Sequence, residues 1–314
     1  MARFVTRRAI SVVLVLFAIS VMTFLIFQAI PSGDPALRLA GKTATHQDIL
    51  DIRKKWGLDQ PIYVQYAKMM QQVFTGKVIS YTQQLNVLDE LRRDAPATFS
   101  LAIGAGVIWL GLGILFGALS AMRAGGILDR ALTVLSMVGV STPVFFVGAM
   151  LSYYLGYKAG IFPLSGYVKF TTSPWQWFTH LLMPWFTLSI VFIGVYSRVL
   201  RSTMLDTINE DHVRAARAKG ISERRVMARH VLRNSLIPVI SLFGLDFAAV
   251  IGGGAILTES VFGLQGIGQY AAESVGRLDI PPVLVITMLG AFFVVILSAI
   301  ADVVYALLDP RIRI

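Results

Sequence analysis

An all-α membrane protein of six transmembrane helices is what this 314-residue chain predicts, on three observations. Apolar residues make up 55% of it and charged residues only 15%, against roughly 25% charged in an ordinary soluble domain. Six apolar runs reach the ~20 residues needed to cross a bilayer core. Lys and Arg gather in alternate segments between those runs, as the positive-inside rule requires of a multi-span chain.

The first run, 9–30, follows Arg3, Arg7 and Arg8. A secretory signal also starts this way, but the run is too long for one and no small-residue cleavage site follows it. Residues 1–30 therefore predict a short cytoplasmic N-terminus and a retained first helix. Further spans are predicted at 97–122, 131–156, 181–200, 235–258 and 282–308. Segments 1–8, 123–130, 198–234 and 309–314 together hold sixteen Lys and Arg, whereas 157–180 and 259–281 hold three. With six spans, that asymmetry places both termini in the cytoplasm. It also accounts for the net charge of +10, so lipid rather than nucleic acid is the expected contact, nucleic acid needing a basic face on a soluble module.

Residues 31–96 form the long extracytoplasmic segment. Thr45 with Asp48 three residues on predicts a capped helix to Trp56. Gly57-Leu58-Asp59-Gln60-Pro61 reads as a turn, and a second helix follows from Ile62 to Phe74. The segment reads as a helical cover over the membrane helices, direct contact with a solute-binding partner being the other reading. Residues 97–314 hold the five remaining spans and a polar cytoplasmic loop, 201–234.

Inside the spans, Gly104, Gly106, Gly111, Gly113 and Gly117 thin the second helix, and the Gly113/Gly117 pair predicts close helix packing. Pro143 should kink the third helix. Gly252-Gly253-Gly254 should interrupt the fifth, and freed backbone groups at membrane depth are tolerated only where protein or a water-lined path covers them. Asp246 and Asp302 each cost about 2.5–3.5 kcal/mol near a helix centre, which their apolar neighbours outweigh. Asp246, with Gly252, Gly253, Gly254 and Glu259, is a candidate for a solute pathway. Asp302 reads as local packing at the cytoplasmic end.

Several chemistries are excluded. Without cysteine there is no disulfide, thiolate metal site or thiol nucleophile. There is no H-E-x-x-H, and His46, His180, His212 and His230 fall in or beside loops, which leaves an intramembrane enzyme without a constellation. Gly41-Lys42-Thr43 ends like a phosphate-binding loop, but the position needing its first glycine is Ala36. A channel or ATP-independent transporter remains open on composition alone.

The loop 201–234 carries the most information. It predicts a helix from about Met204 to Lys219, stopped at Gly220, and a second helix capped by Ser222 and running through Arg233. Asp211-His212-Val213-Arg214-Ala215-Ala216-Arg217-Ala218-Lys219-Gly220, followed by Arg229 to Pro238, resembles the cytoplasmic loop of binding-protein-dependent ABC importer permeases. Arg214 stands where the general E-A-A-x-x-x-G pattern has Glu, as in the peptide and nickel branch. Gly57 to Pro61, Glu259-Ser260-Val261-Phe262-Gly263 with Gly266-Ile267-Gly268, and Tyr305 to Arg311 resemble the same branch. The resemblance implies the type I importer permease fold and a coupling role for Arg214, Ala215, Ala216, Lys219 and Gly220 against an ATPase. It also implies a second permease, two ATPases that bind ATP and Mg, an extracytoplasmic solute-binding protein, and no cofactor in this chain. Peptide is the expected substrate, with nickel or glutathione as alternatives.

Overall fold

The computed structural model of the chain describes residues 2–29, 36 and 44–308. Twelve helices are named here: α1 (Ala2–Ala29), α2 (His46–Trp56), α3 (Ile62–Thr75), α4 (Val87–Met122), α5 (Ile127–Ser141), α6 (Val144–Lys158), α7 (Pro174–Ile208), α8 (Asp211–Ala218), α9 (Glu223–Gly254), α10 (Ile256–Phe262), α11 (Ile267–Gly276) and α12 (Ile280–Leu308). No strand occurs among the described residues, where Ile79 and Asn86 form one isolated bridge.

Among the described residues four helices, α4, α7, α9 and α12, are long and apolar enough to cross a membrane by themselves. The α5–α6 pair passes the same test together, but it bends by 97° between Ser141 and Val144. An ordinary proline kink was expected there. The break is sharper because Thr142 is extended (φ −88°, ψ 127°) and Pro143 starts a new helix instead of bending an old one. The described apolar stretch of α1, Ile10–Ile26, has 17 residues. The side chain of Asp302 and residues 309–314, with the end of the Tyr305 to Arg311 motif, lie outside the described part.

Length explains how the polar ends are built. At 1.5 Å per residue, the 36-residue α4 and 35-residue α7 each extend ~50 Å. That exceeds a hydrocarbon core of ~30 Å, so each carries a rigid extension beyond it. Helices α4 and α7 pack along most of their length because small residues face each other. A Cβ at Gly113 would stand 2.6 Å from Tyr196 Cβ, and one at Gly117 would stand 2.7 Å from the Ser197 carbonyl oxygen. Trp109, fully buried, packs at tilted ring angles among Phe192, Tyr196, Phe243 and Phe247.

Helices α2 and α3 form as the sequence predicts. The Thr45 side chain accepts from Asp48 N–H while the Asp48 carboxylate accepts from Thr45 N–H, a complete capping box. Gly57 closes α2 in the left-handed conformation. Helix α3 then rests on the membrane helices: Met69 packs with Phe24, Ile280 and Leu284, and Tyr66 shares a 2.7 Å hydrogen bond with Ser20. A second tie comes from Asp279, whose carboxylate accepts from Ser80 Oγ (2.5 Å), Tyr81 N (2.9 Å), Thr82 N (3.1 Å) and Thr82 Oγ1 (2.5 Å).

Candidate coupling and translocation sites

The polar loop 201–234 is mostly long-helix extension. Helix α7 runs through Met204 to Ile208 without a break, so the separate helix expected from about Met204 to Lys219 is corrected to an eight-residue α8 after a turn at Asn209 and Glu210. Glu210 is extended and its carbonyl accepts from Val213 and Arg214 N–H. At the other end, Ile221 N–H donates to Ala216 O and Gly220 N–H to Arg217 O, with Gly220 at φ +75°. That pair of bonds is a Schellman stop, which requires the left-handed residue that glycine supplies. Ser222 sits at the N-cap of α9, but its carbonyl, not its side chain, receives Arg225 and Val226 N–H. The second helix does not end at Arg233 either. It continues without interruption into the membrane as α9.

Helix α8 is thereby a knuckle held between two membrane-crossing helices. Val213 and Ala216 are buried with Met204, Val226, Met227 and Val231 in one apolar cluster. Arg214, Ala215, Lys219 and Gly220 are exposed on the outward side. Of the five residues singled out for coupling, the structure brings these four to one surface and turns Ala216 inward. Arg217 pairs with Glu223 through two hydrogen bonds (3.0 and 2.6 Å) across the turn. Behind the knuckle, Arg201 makes a bidentate pair with Asp129 (2.7 and 2.8 Å), which also accepts from Ser120 Oγ and, at 2.8 Å, from Gly125 N–H. This pair fixes the α4–α5 turn against the base of α7. Sequence reading counts Arg201 only as a loop charge and does not single out Asp129, whose place in the first turn of α5 was the available signal.

The pathway candidates fall in three separate places. Asp246 accepts from the Tyr196 hydroxyl at 2.9 Å, within the aromatic cluster that joins α7 to α9. Gly252 and Gly253 line a cleft of about 450 Å³ among α1, α9, α11 and α12, walled by Val283, Ile286 and Gly290. Gly253 has φ +109°, which ends α9, and Gly252 touches Gly290 so closely that a Cβ on it would stand 2.9 Å from the Gly290 Cα. A Cβ on Gly254 would stand 2.7 Å from the Ala249 carbonyl oxygen. The span predicted to 258 therefore stops at Gly254, and the chain restarts as α10.

Glu259, on α10 beyond that span, is fully buried. Its carboxylate accepts from Thr98 Oγ1 (2.7 Å) and Gln269 N–H (2.8 Å), while Thr98 in turn accepts from Ile267 N–H (2.8 Å). Any side chain at Gly266 or Gly268 would strike the Glu259 carboxylate, which is the physical content of the Gly266-Ile267-Gly268 spacing. Burial pushes the Glu259 carboxyl above the ordinary glutamate range. Thr98 and Asp94, one turn apart and both buried on α4, were not singled out from sequence. Only their i, i+4 spacing hinted at a shared face.

Comparison with known proteins decides what this arrangement belongs to. Residues 113–314 match the family model described as Binding-protein-dependent transport system inner membrane component. Residues 1–102 match its N-terminal counterpart. The chain belongs to this family. It is a permease subunit of a binding-protein-dependent transport system, not an enzyme. A probable peptide ABC transporter permease of Sinorhizobium fredii is 35% identical over the whole of both chains. An oligopeptide transport system permease of Bacillus subtilis is 34% identical, again over both whole chains, and a dipeptide transport system permease of Lactococcus lactis is 32% identical. An inward-facing structure of the MetNI methionine ABC transporter matches 70% of this chain and 96% of that chain, with a TM-score of 0.53 and 16% identity. That likeness establishes the type I importer permease fold for the transport-system component.

Proposed function

We propose that this chain forms half of the translocation pathway of an ATP-driven peptide importer in a bacterial inner membrane. One observation carries the substrate class: the end-to-end match to permeases named for peptide, oligopeptide and dipeptide transport. In this reading α1, α4, the α5–α6 pair, α7, α9 and α12 supply six spans, both termini are cytoplasmic, and residues 31–96 form the outer cover. The partners are a second permease, two ATPases that bind ATP and Mg, and an extracytoplasmic solute-binding protein.

The coupling knuckle supports the division of labour. A partner pressing on Arg214, Ala215, Lys219 and Gly220 pushes on a short helix with no slack: hydrogen bonds close it at both ends, and an apolar cluster binds it to α7 and α9. Displacement at the knuckle is therefore carried along two rigid helices toward Asp246 and the glycine break at Gly252 to Gly254. Affinity purification of the tagged chain in mild detergent tests the proposal. Recovery of two ATPases, a second permease and a peptide-binding protein is expected, with ATP-dependent uptake of labelled peptides by the reconstituted assembly. Recovery of the chain without any ATPase, or uptake indifferent to ATP, would overturn it.

A further inference from the structure

Between α2, α3 and the adjacent ends of α1 and α12 lies a cavity of about 260 Å³. Lys54 and Lys55, from the last turn of α2, and Lys68, from the middle of α3, line it. The Lys68 ammonium reaches back to the turn at Gly57, where a Cβ would stand 3.5 Å from its Nζ. Among the described residues no carboxylate lies within ion-pair distance of any of the three lysines. All three lysines are solvent-exposed and bring three positive charges to the lining of one cavity, where Coulomb attraction favours an anion.

The floor of the cavity says which anion. Phe24, Met69 and Ile280 form it, each at most 5% exposed. Ile280 opens the apolar run of α12, so the cavity stands at the level where the helices leave hydrocarbon and phospholipid headgroups lie. Beside Phe24 on α1, Leu25 and Ile26 are about half exposed (47% and 52%) and give acyl chains an apolar surface to follow. Its volume falls below the ~300–1,000 Å³ of sites for drug-sized ligands, which suits a headgroup and not a peptide.

We propose that this cavity holds the phosphate of an anionic phospholipid headgroup, with Lys54, Lys55 and Lys68 as its ligands. The inference rests on the membrane embedding of α1 and α12, and not on the transported substrate or on which side the termini face. The test is native mass spectrometry of the full, delipidated chain titrated with phosphatidylglycerol and with phosphatidylcholine of the same acyl chains. Preferential retention of phosphatidylglycerol is expected, weakened about fivefold by each of Lys54→Gln, Lys55→Gln and Lys68→Gln. Lys77→Gln, in the same outer unit but away from the cavity, leaves retention unchanged, and Lys68→Arg keeps it, which separates loss of charge from misfolding. Equal retention of the two lipids, or unchanged retention in the triple Gln variant, would overturn the proposal. So would displacement of the lipid by millimolar inorganic phosphate, which would make the site one for free phosphate. Loss of binding-protein-stimulated uptake in the triple variant with lipid retention intact would assign the lysines to protein docking instead.

Discussion

Gly220 and Glu259 show how single residues set this molecule's behaviour. Gly220 holds φ +75° at the Schellman stop of α8, a conformation that costs an L-residue about 1–2 kcal/mol and a β-branched one more. Gly220→Val is expected to leave membrane insertion intact but to uncouple ATP hydrolysis from uptake, because α8 would leave its seat against α7 and α9. Normal peptide uptake in reconstituted vesicles would contradict this. Glu259 is a different case. Its raised pKa means that the folded state holds the proton more tightly than the unfolded chain. The associated stability is therefore full below the unfolded glutamate pKa and is lost as pH rises through the folded one. Glu259→Gln keeps one acceptor oxygen but cannot serve both Thr98 Oγ1 and Gln269 N–H, at a cost of about 1–3 kcal/mol. Thermal unfolding in detergent should show the variant less stable than the parent at acidic pH, with a flatter dependence toward neutral pH. An unchanged slope would rule out Glu259 as the titrating group.

Among the helices, the glycine break of α9 and the right-angle bend of α5–α6 shape the bundle. Gly252 and Gly290 let α9 and α12 approach at backbone distance, and Gly253 turns the chain into α10 just beyond. Gly252→Ala should lower stability by about 1–3 kcal/mol, since its Cβ meets backbone rather than a side chain that can swing away. Gly111 makes the matched control, with nothing within 4 Å of a Cβ placed there. Gly111→Ala should leave stability unchanged or raise it by up to about 1 kcal/mol, alanine being the better helix former. Equal effects of the two substitutions would mean that the α9–α12 approach does not limit packing. The sequence marked Gly252 to Gly254 as an interruption, yet nothing in it pointed to Gly290, because a lone glycine in an apolar run looks the same whether or not a partner backbone lies opposite. The Pro143 break was equally visible as a kink and equally opaque in angle. A proline removes one hydrogen bond, but the direction in which the next helix leaves depends on what it packs against.

For the whole molecule, orientation is the testable quantity. The natural absence of cysteine makes the chain suited to single-cysteine labelling. In the proposed topology, Gln84→Cys reacts with a membrane-impermeant maleimide added outside intact inner membranes, and Glu210→Cys reacts only after lysis. The reverse pattern would invert the topology. A shared response would place both loops on one side and remove the six-span reading.

By itself the sequence determined the helical membrane class, the capping box of α2 and the helix after it, the left-handed stop at Gly220 and the family. Each of these follows from local patterns: apolar run length, a capping box, a glycine after a helix, a motif read in order. Tertiary structure alone decided that Ala216 faces inward while Arg214, Ala215 and Lys219 face out. It decided that the loop 201–234 is largely an extension of α7 and α9, and that Asp129 meets Arg201. It also gave Glu259 a buried turn to organise. These depend on which surfaces meet across tens to more than a hundred residues of chain, and a pairing of that kind leaves no periodic trace in either partner.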